Sequence, residues 1–149
     1  NQGPTIVHWE ESPQAVTVNL RLGDVMPLLS SATGRCFAAH MSRDAMAPML
    51  SDELARARKL ARPDVPRTQA ELDKLLQDVR QRGLGRVVDT LLPGIAGFCA
   101  PVFDFDGHMV LGIVALGSVA TFDSRWDGAV AKALRVAAAQ LSNDLGYKG

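Results

Sequence analysis

Ile95-Ala96-Gly97-Phe98-Cys99-Ala100-Pro101-Val102-Phe103-Asp104-Phe105, then Asp106-Gly107, then His108-Met109-Val110-Leu111-Gly112-Ile113-Val114-Ala115-Leu116: this stretch decides the fold. Two apolar runs flank an Asp-Gly pair, the dipeptide favoured in a two-residue type I′ turn because both central residues need positive φ. The stretch therefore predicts a long β-hairpin over Ile95–Phe105 and His108–Leu116. Strands joined by so short a turn pair antiparallel.

Upstream of the hairpin, Leu84 to Val88 reads as a short strand. Before it, Thr68 is placed to cap a helix through Arg82, with Leu72, Leu75, Leu76 and Val79 on one face and Gly83 ending it. Downstream, a helix is expected from Ser124 or Trp126 to Leu145, with a buried stripe of Val130, Ala133, Leu134, Ala137, Leu141 and Leu145. Further back, Ser42 caps a helix carrying Ala45, Met46, Met49, Leu50, Leu54 and Ala57, with a kink or restart expected at Pro48. Ser30 or Ser31 caps a short helix to His40 whose small residues, Ala32 and Gly34, suit close packing. The chain opens with two strand-like segments, Thr5–Trp9 and Ala15–Leu20, joined as a hairpin. Strands in a meander with helices packed on them make an α+β domain, one sheet face being left for a pocket or an interface.

At 149 residues, 47% hydrophobic and 21% charged, the chain has the composition of one globular domain, residues 1–149. Sixteen basic side chains balance sixteen acidic ones, so the basic face that grips nucleic acid is not expected. No apolar run approaches the ~20 residues of a membrane span, and no secretory signal opens the sequence. Cys36 and Cys99 each lie in an apolar run, as reduced core thiols of a cytoplasmic protein do. The start at Asn1 without Met reads as a fragment of a longer protein.

Chemistry is sparse. His8, His40 and His108 are scattered singly, with no metal-ligand spacing, and no metal or cofactor is expected. Ser31 and His40 lie about two and a half turns apart on one helix, too far to form a nucleophile–base pair. Gly83-Leu84-Gly85-Arg86 is no phosphate loop. Asp104 and Asp106 flank a turn, where solvated Asp is ordinary. Asp89 either points into a pocket or caps a turn. The start of the Ser30–Arg35 helix offers free amides and a positive dipole end that suit an oxyanion.

Four segments, taken together and in order, resemble the effector domain of the IclR family of transcription regulators. They are Leu22-Gly23-x-x-Met26-Pro27-Leu28-x-Ser30-Ser31-Ala32-Thr33-Gly34-Arg35, Val79-Arg80-x-Arg82-Gly83-Leu84, Gly94-Ile95-Ala96-Gly97-Phe98-Cys99-Ala100-Pro101-Val102-Phe103-Asp104, and Ala137-Ala138-x-Gln140-Leu141-Ser142-x-x-Leu145-Gly146. The resemblance implies a GAF-like fold that binds a small organic acid and forms a homodimer or homotetramer. It implies contact with DNA only through a winged helix-turn-helix domain absent from this chain, and it implies that the domain's own first strand and helix are missing.

In such a domain the effector's carboxylate is held by backbone amides, here those of Ala32 and Thr33 beside Ser31. Val18, Met26, Ile95, Gly97, Val114 and Leu116 fall at pocket-lining positions, with Asp89 the nearest carboxylate. The sequence departs from the pattern where Val114 and Leu116 replace polar side chains and Thr90 replaces an acid. Polar ligand atoms against such walls would be costly, so an aromatic acid is expected over a small oxo-acid. Two rivals stand beside this reading: a small α+β enzyme acting on an organic acid through Asp89 with Thr90 or Thr33, and a dimerisation module without a ligand.

Overall fold

The computed structural model describes residues 3–14 and 18–149. Among them the chain forms four helices, α1 (Ala32–His40), α2 (Arg43–Leu60), α3 (Gln69–Arg82) and α4 (Ala129–Asp144), and three strands, β1 (Gly85–Val88), β2 (Ile95–Phe103) and β3 (Met109–Ser118). The strands make one antiparallel sheet in the order β1-β2-β3. The architecture is α+β.

Alternation along β2 separates two cores, because successive side chains leave opposite faces of a strand. Phe98, Ala100 and Val102 pack under α4 against Ala131, Leu134 and Ala138. Cys99 and the β1 residue Val87 pack on the other face against Ala32 and Cys36 of α1. Behind α1, a third cluster joins Ala38 and Ala39 to Leu50 and Leu54 of α2 and to Leu72, Leu76 and Val79 of α3. So α1 lies between the sheet and the α2–α3 pair. It lies close to both. A Cβ at Gly85 would fall 2.3 Å from the Ala32 carbonyl oxygen, and one at Gly34 would fall 1.9 Å from that of Pro27.

Helix starts follow the capping residues. The hydroxyls of Ser31, Ser42 and Thr68 accept the amides of Gly34, Ala45 and Glu71. Gly83 ends α3 in the left-handed conformation at φ 70°. Pro48 sits inside α2 without dividing it; one lost hydrogen bond is outweighed by the buried stripe Met46, Leu50, Leu54 and Ala57.

Three expectations need correction. The 104–108 connection is not a type I′ turn, since of Asp106 and Gly107 only Gly107 has positive φ, at 79°. The Gly107 amide donates to the Asp104 carbonyl, and the Asp104 amide to that of His108. The Asp104 carboxylate also accepts the amides of Asp106 and His108, which favours a three-residue turn closed by a left-handed glycine. The first hairpin does not form as expected either. Thr5 bridges Val25, and the backbone of Pro4 and Ile6 bonds that of Gly23, Asp24 and Met26. Residues 15–17 of the second strand lie outside the described residues, and Val18–Leu20 carry no strand. Finally, α4 begins at Ala129 after Gly128, later than the sequence suggests, and buries Ala131, Leu134, Ala138 and Ser142.

Candidate functional site

The first turn of α1 faces the sheet at the point where the backbone comes closest. Four amides at a helix start lack intrahelical acceptors. Here Gly34 donates to the Ser31 hydroxyl at 2.8 Å, and Arg35 to the Ser31 carbonyl at 3.0 Å. Ala32 and Thr33 have no protein acceptor among the described residues. Ser31 itself is fully committed, since its hydroxyl also donates to the Pro27 carbonyl at 2.6 Å and the residue is buried. Its part is to shape the turn.

The neighbouring wall is set by strand register. Gly97 pairs with Leu116, Cys99 with Val114 and Ile95 with Ser118, so all six side-chain positions share the α1 face of β2 and β3. A Cβ at Gly97 would meet the Leu116 side chain at 2.6 Å and the Ala32 Cβ at 3.9 Å. Glycine is what lets the leucine and the helix start converge. Val114 remains 39% exposed, so this face opens to solvent beyond the helix. Thr33, Ile95 and Leu116 are half-buried.

The structure thus brings Ala32 and Leu116 together at Gly97, places Ile95 and Val114 on the same sheet face, and puts Thr33 next along the first turn of α1. Met26 is buried in another place, beside Met49, Asp52 and Glu53 of α2 in a cavity of about 100 Å³. Val18 is half-buried. Asp89 is exposed in the left-handed conformation at φ 60°, and its carboxylate accepts the Gly94 amide at 2.6 Å. It closes the β1–β2 connection. Thr90 is buried, donating its hydroxyl to the Val88 carbonyl and accepting from Arg62 at its own carbonyl.

Several residues escape sequence reasoning. Buried Arg35 donates to three carbonyls, those of Leu29 at 2.7 Å, Asp64 at 2.8 Å and Arg86 at 3.2 Å. Burial pushes its pKa down to about 10, so the side chain stays charged near neutral pH. Glu53 of α2 accepts the amides of Leu28 and Leu29 just before α1. Ser118 adds a hydroxyl to the α1 face of β3, where it accepts the Ala120 amide. Cys36 and Cys99, by contrast, are free and buried, as expected from their apolar runs. A hydrogen bond to Cys36, together with burial, pushes the Cys99 thiol well above its ordinary pKa, which makes it a poor nucleophile.

The histidines stand apart from this face. His8 pairs with exposed Glu10 at 2.9 Å. The His40 ring packs edge-on against Phe103, with Nε2 lacking a partner. His108 does meet Asp104 and Asp106 at the hairpin tip, their ligand atoms within 4.8 Å of one another. One Asp104 oxygen there is already engaged by the turn.

No helix among the described residues is long and apolar enough to cross a membrane. Residues 1–143 match the family model for the C-terminal region of the bacterial transcriptional regulator IclR. The chain is similar to Pseudomonas aeruginosa HmgR, with 33% identity and a TM-score of 0.87 over 99% of this chain and 57% of that one. It is similar to the C-terminal domain of E. coli KdgR at 25% identity and a TM-score of 0.69, covering 85% of this chain and 75% of that one. Thermotoga maritima IclR shares the fold at 24% identity and a TM-score of 0.73, over 93% of this chain and 55% of that one. No curated protein matches. The chain spans little more than half the length of HmgR. A family of transcriptional regulators, matched over almost the whole chain and on this fold, leaves no place for the enzyme reading: the protein belongs to the IclR family as its C-terminal regulatory domain.

Proposed function

We propose that this domain senses a small organic acid with an aromatic body. The observation that carries the reading is the pair of unpartnered amides, Ala32 and Thr33, at the mouth of an apolar sheet face. A helix start with free N–H groups favours a carboxylate through both hydrogen bonds and the dipole. Gly97, Val114 and Leu116 supply walls that reward an apolar ring and leave extra polar atoms without partners. The contacts assigned to the effector are Ala32, Thr33, Ile95, Gly97, Val114 and Leu116.

Signalling runs through α1. A ligand on its first turn acts on the helix that Arg35 ties to the segments around Leu29, Asp64 and Arg86. Occupancy then shifts a two-state equilibrium by the difference in affinity for the two states. In the whole protein the readout is a DNA-binding domain upstream, in a homodimer or homotetramer.

Isothermal titration of benzoate against pyruvate and glyoxylate tests the ligand class. Benzoate is expected to bind at least about tenfold more tightly, a difference of ~1.4 kcal/mol. Tight binding of either oxo-acid with no heat from benzoate would contradict the reading.

A further inference from the structure

A cleft of about 480 Å³ opens between α2 and α3, bordered by Ala38 and Ala39 on the side of α1 turned away from the sheet. Its lining along α2 runs from Arg43 to Arg58, roughly 22 Å at ~1.5 Å per residue. Leu54 of α2 and Leu72 and Leu76 of α3 give it an apolar floor. The two ends differ in charge. At one, Arg43 opens α2 while Arg80, in the last turn of α3, donates to the Ala39 carbonyl at 3.0 Å. At the other, Arg58 bonds the Arg67 carbonyl and shares the lining with Asp73, the one acid there. The ion pairs among the described residues are His8–Glu10, Arg62–Asp64 and Arg125–Asp123. Arg43 and Arg80 therefore both line the trough, and neither is paired with a carboxylate among the described residues.

Size and charge together decide what such a trough holds. A cleft of about 480 Å³ falls within the range of small-ligand sites, and two arginines without a paired carboxylate suit an anionic head group. Its length excludes a compact ligand as a good fit. We infer that the cleft binds an elongated alkyl carboxylate, with its tail between Leu54 and Leu72 and its head group between Arg43 and Arg80. This site lies on the opposite side of α1 from the sheet face and is independent of the effector proposed there.

Octanoate is the probe, titrated into the full chain by calorimetry and followed by methyl NMR. The expected result is saturable binding that shifts the Leu54 and Leu72 methyls and leaves Val114 and Leu116 in place. Arg43→Ala removes a charge from an exposed side chain and is expected to weaken octanoate at least fivefold. Ala55→Trp fills the cleft from an exposed position in its wall and is expected to abolish binding. Both variants are expected to keep wild-type melting temperatures and wild-type affinity for benzoate. The inference is overturned if octanoate gives no saturable heat, if it shifts Val114 and Leu116 instead, or if both variants bind it as the wild type does. None of these results bears on benzoate, so failure here is separable from failure of the effector reading.

Discussion

Arg35 concentrates more structure than any other polar side chain around the candidate site. Its three acceptors lie 6, 29 and 51 positions away in sequence. From the sequence it is only the basic residue that closes a motif; its partners exist only once two loops and β1 meet. Replacing it with Met leaves the buried Leu29 carbonyl unpaired, at about 1–3 kcal/mol, and returns the part-buried Asp64 and Arg86 carbonyls to water at smaller cost. Arg35→Met is therefore expected to lose about 2–3 kcal/mol in urea unfolding, and a loss under ~1 kcal/mol would show that water replaces the guanidinium. Arg35→Lys keeps the charge but not the fork, and should fall between. Sequence alone leaves Asp89 balanced between pocket and turn. Its left-handed backbone and its bond to the Gly94 amide place it in the turn. Glu53 is invisible in the sequence because its acceptor role depends on α2 lying against the segment before α1.

Elements are more legible than their faces. The Ser and Thr caps, Gly83 and the hairpin mark most boundaries in the sequence itself, because each rests on local chemistry. The α4 stripe expected from apolar spacing includes Ala133, Ala137 and Leu145, which are exposed, while the helix buries Ala131, Ala138 and Ser142. A helix laid closely on a sheet needs small residues at the contact, and hydrophobicity does not rank them. Ser142 is there for a specific bond, accepting the Phe103 amide at 3.0 Å. The end of α1 carries a pH signature. Burial, and to a smaller degree Arg80, holds His40 below its ordinary pKa. The unfolded chain thus takes up this proton more readily than the folded one. Stability from this group is flat above pH ~6.5 and falls as pH drops through the folded-state value. His40→Leu is expected to flatten that fall below about pH 6.5, measured as urea midpoints. An identical slope in the variant would place the effect at another group.

At the scale of the molecule, sequence and structure agree on an α+β regulatory domain, and the order of four motifs carries the family. What the motifs cannot give is which lining positions meet. That depends on the register placing Gly97 beside Leu116, and on Met26 turning towards α2. The charge balance of the chain, sixteen against sixteen, suits the proposed sensing role, which needs no basic face. The central claim is that backbone amides of α1 hold the effector. Ala32 is the first residue of the helix, a position where proline is tolerated, and Ser31 before it already has the extended backbone that proline demands. Ala32→Pro therefore removes one of the two free amides while leaving the cap in place. The measurement is calorimetric titration of benzoate into the wild type and Ala32→Pro, with thermal melts to confirm that both fold. The account predicts a similar melting temperature and at least about tenfold weaker binding in the variant, in line with ~1.5–3 kcal/mol for a hydrogen bond to a charged group. A folded variant that binds benzoate as tightly as the wild type would contradict it.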